Sequence, residues 1–173
     1  MGEESKSMRE LNFHMNVFRE QIKTGTIQKA YRALLDYMMD LRTHFKNRCP
    51  SCAISGLYQG YMDMTYFAII PPELKMRDLK IAIVFNYEAF RFEAWLAATN
   101  RQVQRKYWEL FRDSQWTAYR VVAPAKGVDA IVECDLAQGF DFGDRERLTA
   151  SIEEKVVEFI HAVERFLSDY ERL

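Results

Sequence analysis

The stretch LKIAIVFNYEAFRFEAWLAATNRQVQRKYWELF, residues 79–111, decides the fold of this chain. Residues 79–85 are apolar at nearly every position, which is typical of a strand in the middle of a sheet. Residues 89–97 are predicted to form its antiparallel neighbour, across a turn at residues 86–88. The sequence therefore predicts a fold built around one central β-hairpin.

A helix is predicted directly after this hairpin. Thr99 and Gln102 have the spacing of a capping box, in which the two side chains satisfy free backbone N–H groups of the first helical turn. Tyr107 and Phe111 follow at helical spacing on the side expected to face the sheet, and the helix is expected to end near Asp113. This segment is the one crossover helix of the predicted fold.

Two helices are predicted before the sheet. Ser7 and Glu10 form a capping box for the first helix, which ends at Gly25. Thr26 caps the second helix, which Pro50 ends, and the short loop predicts a helical hairpin. The apolar stripes are Leu11, Met15, Phe18 and Ile22 in the first helix, and Ile27, Tyr31, Leu34, Met38, Leu41 and Phe45 in the second.

The remaining segments complete the sheet and add a last helix. Residues 56–70 have strand chemistry and are long enough to bend or break near Gly60. Two shorter strands are predicted at residues 119–123 and 130–136, followed by a long amphipathic helix at residues 147–170.

These elements predict an α+β fold in the order α-α-β-β-β-α-β-β-α, with a mixed, mainly antiparallel sheet of about five strands. The length of 173 residues is that of one domain, and an apolar share of 49% with only 7 Gly and 4 Pro indicates an ordered, packed chain. We expect a single domain over residues 1–173, with a flexible tail at residues 1–6.

The charge balance argues against nucleic acid and anionic membranes as partners. With 24 basic and 25 acidic residues the net charge is −1, so no overall field attracts polyanions. The start MGEESKSMRE lacks the basic and apolar regions of a signal sequence, and no apolar run approaches the length of a membrane span. We expect a cytoplasmic protein.

The cysteines are Cys49, Cys52 and Cys134, an odd number that fits free thiols in a reducing compartment. Cys49 and Cys52 have the C-x-x-C spacing of redox pairs, but they follow the predicted end of a helix, where the dipole disfavours a thiolate. No second pair of Cys or His completes a zinc site. We predict free structural thiols, no metal and no cofactor.

Charged residues interrupt the two strands of the central hairpin. Strand alternation places Lys80, Arg91 and Glu93 on one face with Trp95, and Asp63 reaches that face if the preceding strand pairs alongside. A charge in a sheet is either paired or takes part in binding, so this face is an ion-pair network or a pocket for a charged ligand. In a pocket, the carboxylates bind a cation or a basic ligand, and Arg91 or Lys80 binds an anion. The candidate ligand-binding residues are Asp63, Lys80, Arg91, Glu93, Trp95, Tyr58 and Tyr61.

The order of elements also resembles the core of restriction-endonuclease-like nucleases, in which one strand supplies an acid and the next supplies Glu-x-Lys for a divalent metal. Here Trp95 occupies the lysine position after Glu93, and the nearest lysine, Lys80, lies in the other strand. A divergent metal-dependent nuclease or phosphodiesterase is an alternative function, which requires Asp63, Glu93 and Lys80 to converge.

Four segments together carry a resemblance to a known family. They are LYQGYMDMTYF (57–67), LKIAIVF (79–85), RFEAWLAATNRQVQRKYW (91–108) and KAYRALLDYMMDLRTHF (29–45). The chain resembles, over nearly its whole length, a family of small prokaryotic cytosolic proteins of unknown function. The resemblance implies a single α+β domain and brings no activity, cofactor or catalytic residue.

The leading hypothesis is a non-catalytic domain that binds a small molecule or a protein through the polar side of the central hairpin. Charged and aromatic residues are concentrated there without a complete catalytic set, so no catalytic residue is predicted. A third hypothesis is a structural homodimer that uses an exposed aromatic helix face.

Overall fold

The structure is a computed structural model and describes residues 2–170. Its internal contacts divide the chain into two compact units, with the boundary between Tyr37 and Met38. The single domain over the whole chain stays a prediction.

The first unit contains helix α1 (Gly2–Ile22) and the first half of helix α2 (Thr26–Arg48). Gly25 joins the two helices with a φ of 70°, and its N–H donates to the Ile22 carbonyl at 3.0 Å. Such left-handed residues commonly end helices, and glycine adopts the conformation without strain. Helix α1 begins at Gly2 instead of the predicted cap at Ser7, so it includes residues expected to form a tail; Met1 lies outside the described residues.

The second unit is built on a six-stranded sheet in the order β1-β2-β3-β4-β6-β5. All five pairings between these strands are antiparallel. The α+β class, the N-terminal helices and the long C-terminal helix are as predicted, with six strands instead of about five. The strands are β1 (Ala53–Ile54), β2 (Met64–Ile70), β3 (Leu79–Asn86), β4 (Arg91–Ala98), β5 (Arg120–Val121) and β6 (Ala130–Ala137).

The strand predicted at residues 56–70 is divided in the structure. Gly60 and Met62 have φ values of 68° and 62°, which interrupt the extended backbone before β2 begins. The preceding loop keeps one antiparallel bridge to β2, between Tyr58 and Tyr66. Glycine tolerates the left-handed conformation, and the structure has a break near Gly60, one of the two outcomes predicted there.

Three helices accompany the sheet, and the crossover from β4 to β5 passes through α4. The cap of α4 is Asn100 instead of the predicted Thr99, since the Asn100 Oδ1 atom accepts the Val103 N–H at 2.9 Å. The short α3 was not predicted, because Pro71 and Pro72 were interpreted only as the end of a strand. The helices are α3 (Pro72–Lys75), α4 (Arg101–Asp113) and α5 (Arg145–Tyr170).

One face of the sheet carries the hydrophobic core under α5. Phe159 of α5 contacts Tyr119 edge-to-face at 4.9 Å between ring centroids, and Phe166 stacks on Phe111 of α4 at 4.5 Å. Phe111 and Phe159 are buried, and aromatic pairs of this kind contribute about 0.5–1.5 kcal/mol beyond the burial of their area. The buried residues of β3 and β4 on this face are Leu79, Ile81, Ile83, Phe85, Phe92, Ala94 and Leu96.

Cys49 and Cys52 form a disulfide, so the prediction of free thiols is wrong for these two residues. Helix α2 ends at Arg48, and the Cys52 N–H then donates to the Cys49 carbonyl at 3.0 Å. This tight turn brings the Cα atoms to 5.3 Å, a separation that disulfides bridge. That distance depends on the path of the turn, which neither the redox compartment nor the helix dipole determines. Cys134 is free, as predicted, and its burial raises the pKa of the thiol to about 11.

Within residues 2–170, none of the helices is both long enough and apolar enough to cross a membrane.

Candidate functional site

Lys80, Arg91, Glu93 and Trp95 share one side of the sheet, which confirms the predicted geometry of the central hairpin. We call this side, opposite the core under α5, the polar face. Strand alternation fixes the arrangement, since side chains directly opposite each other in an antiparallel pair lie on the same side. The opposed pairs on the polar face are Lys80 and Ala97, Ala82 and Trp95, Val84 and Glu93, and Asn86 and Arg91.

Glu93 is the centre of a hydrogen-bond network on the polar face. Its side chain is only 3% exposed, and it accepts from Arg91 Nε at 2.6 Å and from Trp95 Nε1 at 2.8 Å. Arg91 also pairs with Asp135 of β6 at 3.0 Å. The hydrogen bond to Glu93 holds the pKa of Arg91 above its ordinary value. The Glu93 carboxylate is satisfied within the protein, so it positions the indole of Trp95 and does not serve as a ligand group.

A cleft of about 320 Å³ opens on the polar face, at the end where β4 leads into α4. Lys80 and Trp95 line the cleft together with Tyr66 of β2, and the first turn of α4 forms one rim. A cleft of this size is at the lower end of the range for small-molecule sites. The lining residues are Met64, Tyr66, Lys80, Ala82, Trp95, Ala97, Ala98, Thr99, Asn100, Arg101, Gln104 and Asp129.

Lys80 supplies an unneutralised charge to the cleft. Its side chain is half-buried, and its ammonium group has no hydrogen-bond or ion-pair partner among the side chains that the structure describes, those of residues 7–170. A partly buried cation loses hydration without a compensating contact, so a negatively charged group beside it is favourable. Lys80 is therefore the charged group of the polar face that is best placed to bind an anionic ligand.

Tyr66 forms the wall of the cleft on the β2 side. Its ring packs against the ring of Tyr58 at 5.1 Å between centroids. Burial, followed by the negative charge of Asp129, raises the pKa of Tyr66. The hydroxyl therefore keeps its proton at neutral pH and is able to donate a hydrogen bond into the cleft.

The rim at α4 is fixed by an internal network. Gln104 is 3% exposed, and its Nε2 donates to the Val128 carbonyl at 2.9 Å. Its Oε1 accepts from Arg101 Nη1 at 2.7 Å, and the guanidinium of Arg101 also pairs with Asp129 at 3.1 Å. The charged lining is thus two cations, Lys80 and Arg101, against the single anion Asp129.

Of the predicted site residues, Lys80 and Trp95 line the cleft, and the other five do not: Tyr58, Tyr61, Asp63, Arg91 and Glu93. The Asp63 Oδ1 atom accepts the Tyr61 backbone N–H at 2.8 Å, and this bond holds the pKa of Asp63 below its ordinary value. Tyr61 is 92% exposed. Thr65, with which Asp63 was expected to alternate on the polar face, is instead fully buried on the core side. The alternation was therefore assigned to the wrong side of β2.

The geometry of a divergent nuclease is not formed. Lys80 lies opposite Ala97, and Glu93 is four residues farther along β4, which is about 13 Å in a strand. Asp63 lies beyond the end of β2 that pairs with Asn86, six residues from Lys80 on β3, or roughly 20 Å. Within the described part of the chain, no group of three or more His, Cys, Asp or Glu side chains is placed to hold a metal ion.

Most residues that line the cleft were not predicted as site residues, among them Tyr66, Arg101, Gln104 and Asp129. A usable signal existed only for Tyr66, since the apolar residues Phe67 and Ile69 continue the alternation of Thr65 and leave Tyr66 on the other side. The α4 residues and Asp129 reach the cleft through the crossover, and local sequence patterns do not encode that contact.

Comparison with known proteins places the chain in one family. No curated protein matches it, and no solved structure matches it. The model of a domain of unknown function, DUF7000, matches residues 11–167, which is most of the chain. The chain therefore belongs to the DUF7000 family, a family of unknown function.

Proposed function

We propose that the chain is a non-catalytic, cytosolic binding domain that takes a small ligand in the cleft of the polar face. The ligand has an anionic group, a carboxylate or a phosphate, beside Lys80, and a flat apolar group against Trp95. One observation carries this proposal: the half-buried side chain of Lys80 has no hydrogen-bond or ion-pair partner among the described side chains and lies in a cleft lined by two aromatic side chains.

The charged residues that line the cleft favour a ligand with a negative charge. Arg101 already pairs with Asp129, so Lys80 is the cation left for a ligand. A charge-assisted hydrogen bond in a partly buried site contributes about 1.5–3 kcal/mol. The Tyr66 hydroxyl, which keeps its proton because its pKa is raised, is a further hydrogen-bond donor in the cleft.

The fixed orientation of Trp95 favours a flat apolar group in the ligand. The hydrogen bond from its Nε1 to Glu93 holds the indole in place, and Glu93 is in turn held by Arg91. A side chain that is already ordered loses little entropy when a ligand contacts it, which favours affinity. Stacking or edge contact with an aromatic ring adds about 0.5–1.5 kcal/mol beyond area burial.

Thermal unfolding with three probes tests the proposal. Phenyl phosphate carries both the anion and the ring, inorganic phosphate carries only the anion, and benzyl alcohol carries only the ring. We expect phenyl phosphate to raise the Tm most, since tenfold excess over Kd stabilises by about 1.4 kcal/mol, or roughly 3–5 °C in a chain of this size.

The variant Lys80→Ala, with Lys46→Ala as its matched control, assigns any binding to the cleft. Lys46 is an exposed lysine of α2, so both variants remove one positive charge. Lys80→Ala is expected to weaken phenyl phosphate binding at least tenfold, and Lys46→Ala to leave it unchanged. The proposal fails if none of the three probes shifts the Tm at about 10 mM, or if the two variants bind phenyl phosphate equally.

A further inference from the structure

Helix α1 exposes a row of large apolar side chains along one side. Met8, Leu11, Met15 and Phe18 are 68%, 60%, 55% and 51% exposed, and Ile22 ends the row. We call these five residues the α1 stripe. Contiguous apolar surface with polar edges marks a contact surface on a soluble chain.

The spacing of the α1 stripe fits a partner that is itself a helix. Its residues recur at alternating intervals of three and four, the a and d positions of a heptad. A helix that packs on a globular core usually has a third apolar position per heptad, at e or g. Here all four flanking positions are polar, which leaves the narrow seam of a coiled coil. Those flanking residues are Asn12, His14, Arg19 and Gln21.

We propose that α1 pairs with α1 of a second copy of this chain, with the two α1 stripes facing each other across a twofold axis. A twofold interface uses the same patch on both copies, so the patch must be complementary to itself. The α1 stripe is apolar throughout, and residues 7–22 contain two basic and two acidic residues, so two copies do not repel each other. This proposal goes beyond the ligand cleft and does not depend on it.

The exposed area of the α1 stripe matches what a stable dimer needs. At roughly 200 Å² for each large side chain, its four most exposed members present close to 500 Å² of apolar surface per copy. Two copies then bury about 1,000 Å² of apolar surface. Because homodimer interfaces are about 65% apolar, this corresponds to about 1,500 Å² in total, near the standard size of about 1,600 Å².

Light scattering on the full chain, from about 1 to 100 µM, tests the pairing. The wild type is expected to have the mass of two chains at the upper concentrations. The double variant Leu11→Glu and Phe18→Glu is expected to have the mass of one chain throughout, because it places two carboxylates in the seam.

The matched control is Phe13→Glu with Val17→Glu. These residues are also exposed, at 63% and 42%, but they lie on the opposite side of α1. The control is expected to remain a dimer. A monomeric wild type at 100 µM, or equal masses for the two double variants, would overturn the proposal.

Hydrogen exchange tests the pairing of α1 on the wild type alone, so its result does not depend on how well a variant folds. In the wild type, the amides of α1 are expected to exchange more slowly at 100 µM than at 1 µM, while those of β3 and β4 stay unchanged. Exchange of α1 that is independent of concentration would contradict the pairing.

Discussion

The replacement Glu93→Gln perturbs the network that holds Trp95, and its cost follows from the contacts. The glutamine has the same shape but only one acceptor oxygen, whereas the carboxylate accepts from both Arg91 Nε and Trp95 Nε1. Losing a hydrogen bond to a charged group costs about 1.5–3 kcal/mol, and breaking a buried ion pair costs about 3–5 kcal/mol. Because Arg91 is 23% exposed and keeps Asp135, we expect the lower range, about 2–3 kcal/mol.

Urea unfolding at pH 7, followed by far-UV circular dichroism, measures this loss, which corresponds to a drop in Tm of roughly 4–12 °C. Asp135→Asn is the matched control, since it removes the other carboxylate from Arg91 at a side chain that is 48% exposed. An exposed pair contributes about 0–1 kcal/mol, so the control is expected to lose little. If Glu93→Gln costs no more than Asp135→Asn, the account of Glu93 as the structural centre of the polar face is wrong.

Two further predictions concern the second unit. Glu153 accepts from Arg48 and His44, and these bonds, led by that from Arg48, hold the pKa of Glu153 below its ordinary value near 4.5. The stabilisation by these bonds is therefore complete above about pH 4.5 and is lost as the pH falls through the lower, folded-state pKa. In urea titrations from pH 3 to 7, Glu153→Gln should be about 1 kcal/mol less stable than wild type at pH 7 and equal to it at the acid end. A difference in stability that does not change with pH would contradict this linkage. Thiol titration tests the disulfide. Native protein at pH 8 should react slowly with a thiol reagent, because burial raises the pKa of Cys134 to about 11. The denatured protein should show one thiol before reduction and three after it, and three thiols before reduction would refute the Cys49–Cys52 bond.

The central hairpin was predictable because its residues carry two signals that agree. Residues 79–85 are apolar enough to identify a central strand, and the alternation of Arg91, Glu93 and Trp95 assigns them to one side without knowledge of any neighbour. For β2 the alternation predicted from the sequence lies on the wrong side, because it includes the exposed Asp63 in the strand. The strand begins only after the left-handed residue Met62, so its alternation starts from Met64.

The cleft itself was not predictable from local patterns. Arg101 and Asp129 lie 28 positions apart in sequence and meet because the crossover through α4 leads to β5 and leaves β6 beside β4. Strand order is decided by packing over the whole sheet, and a sequence pattern reports only the character of each strand. For the same reason, the pairing of Cys49 with Cys52 depended on the path of a turn that composition does not reveal.

The most direct test of the central claim is an NMR titration of the ¹⁵N-labelled chain with phenyl phosphate. The three indole N–H groups, those of Trp95, Trp108 and Trp116, give separate probes of different parts of the second unit. We predict that phenyl phosphate shifts the Trp95 indole signal in a saturable way and leaves the signals of the other two indoles unchanged. In Lys80→Ala the shift of the Trp95 signal should be absent. If Trp95 does not respond, or if all three signals move together, the cleft of the polar face is not a ligand site.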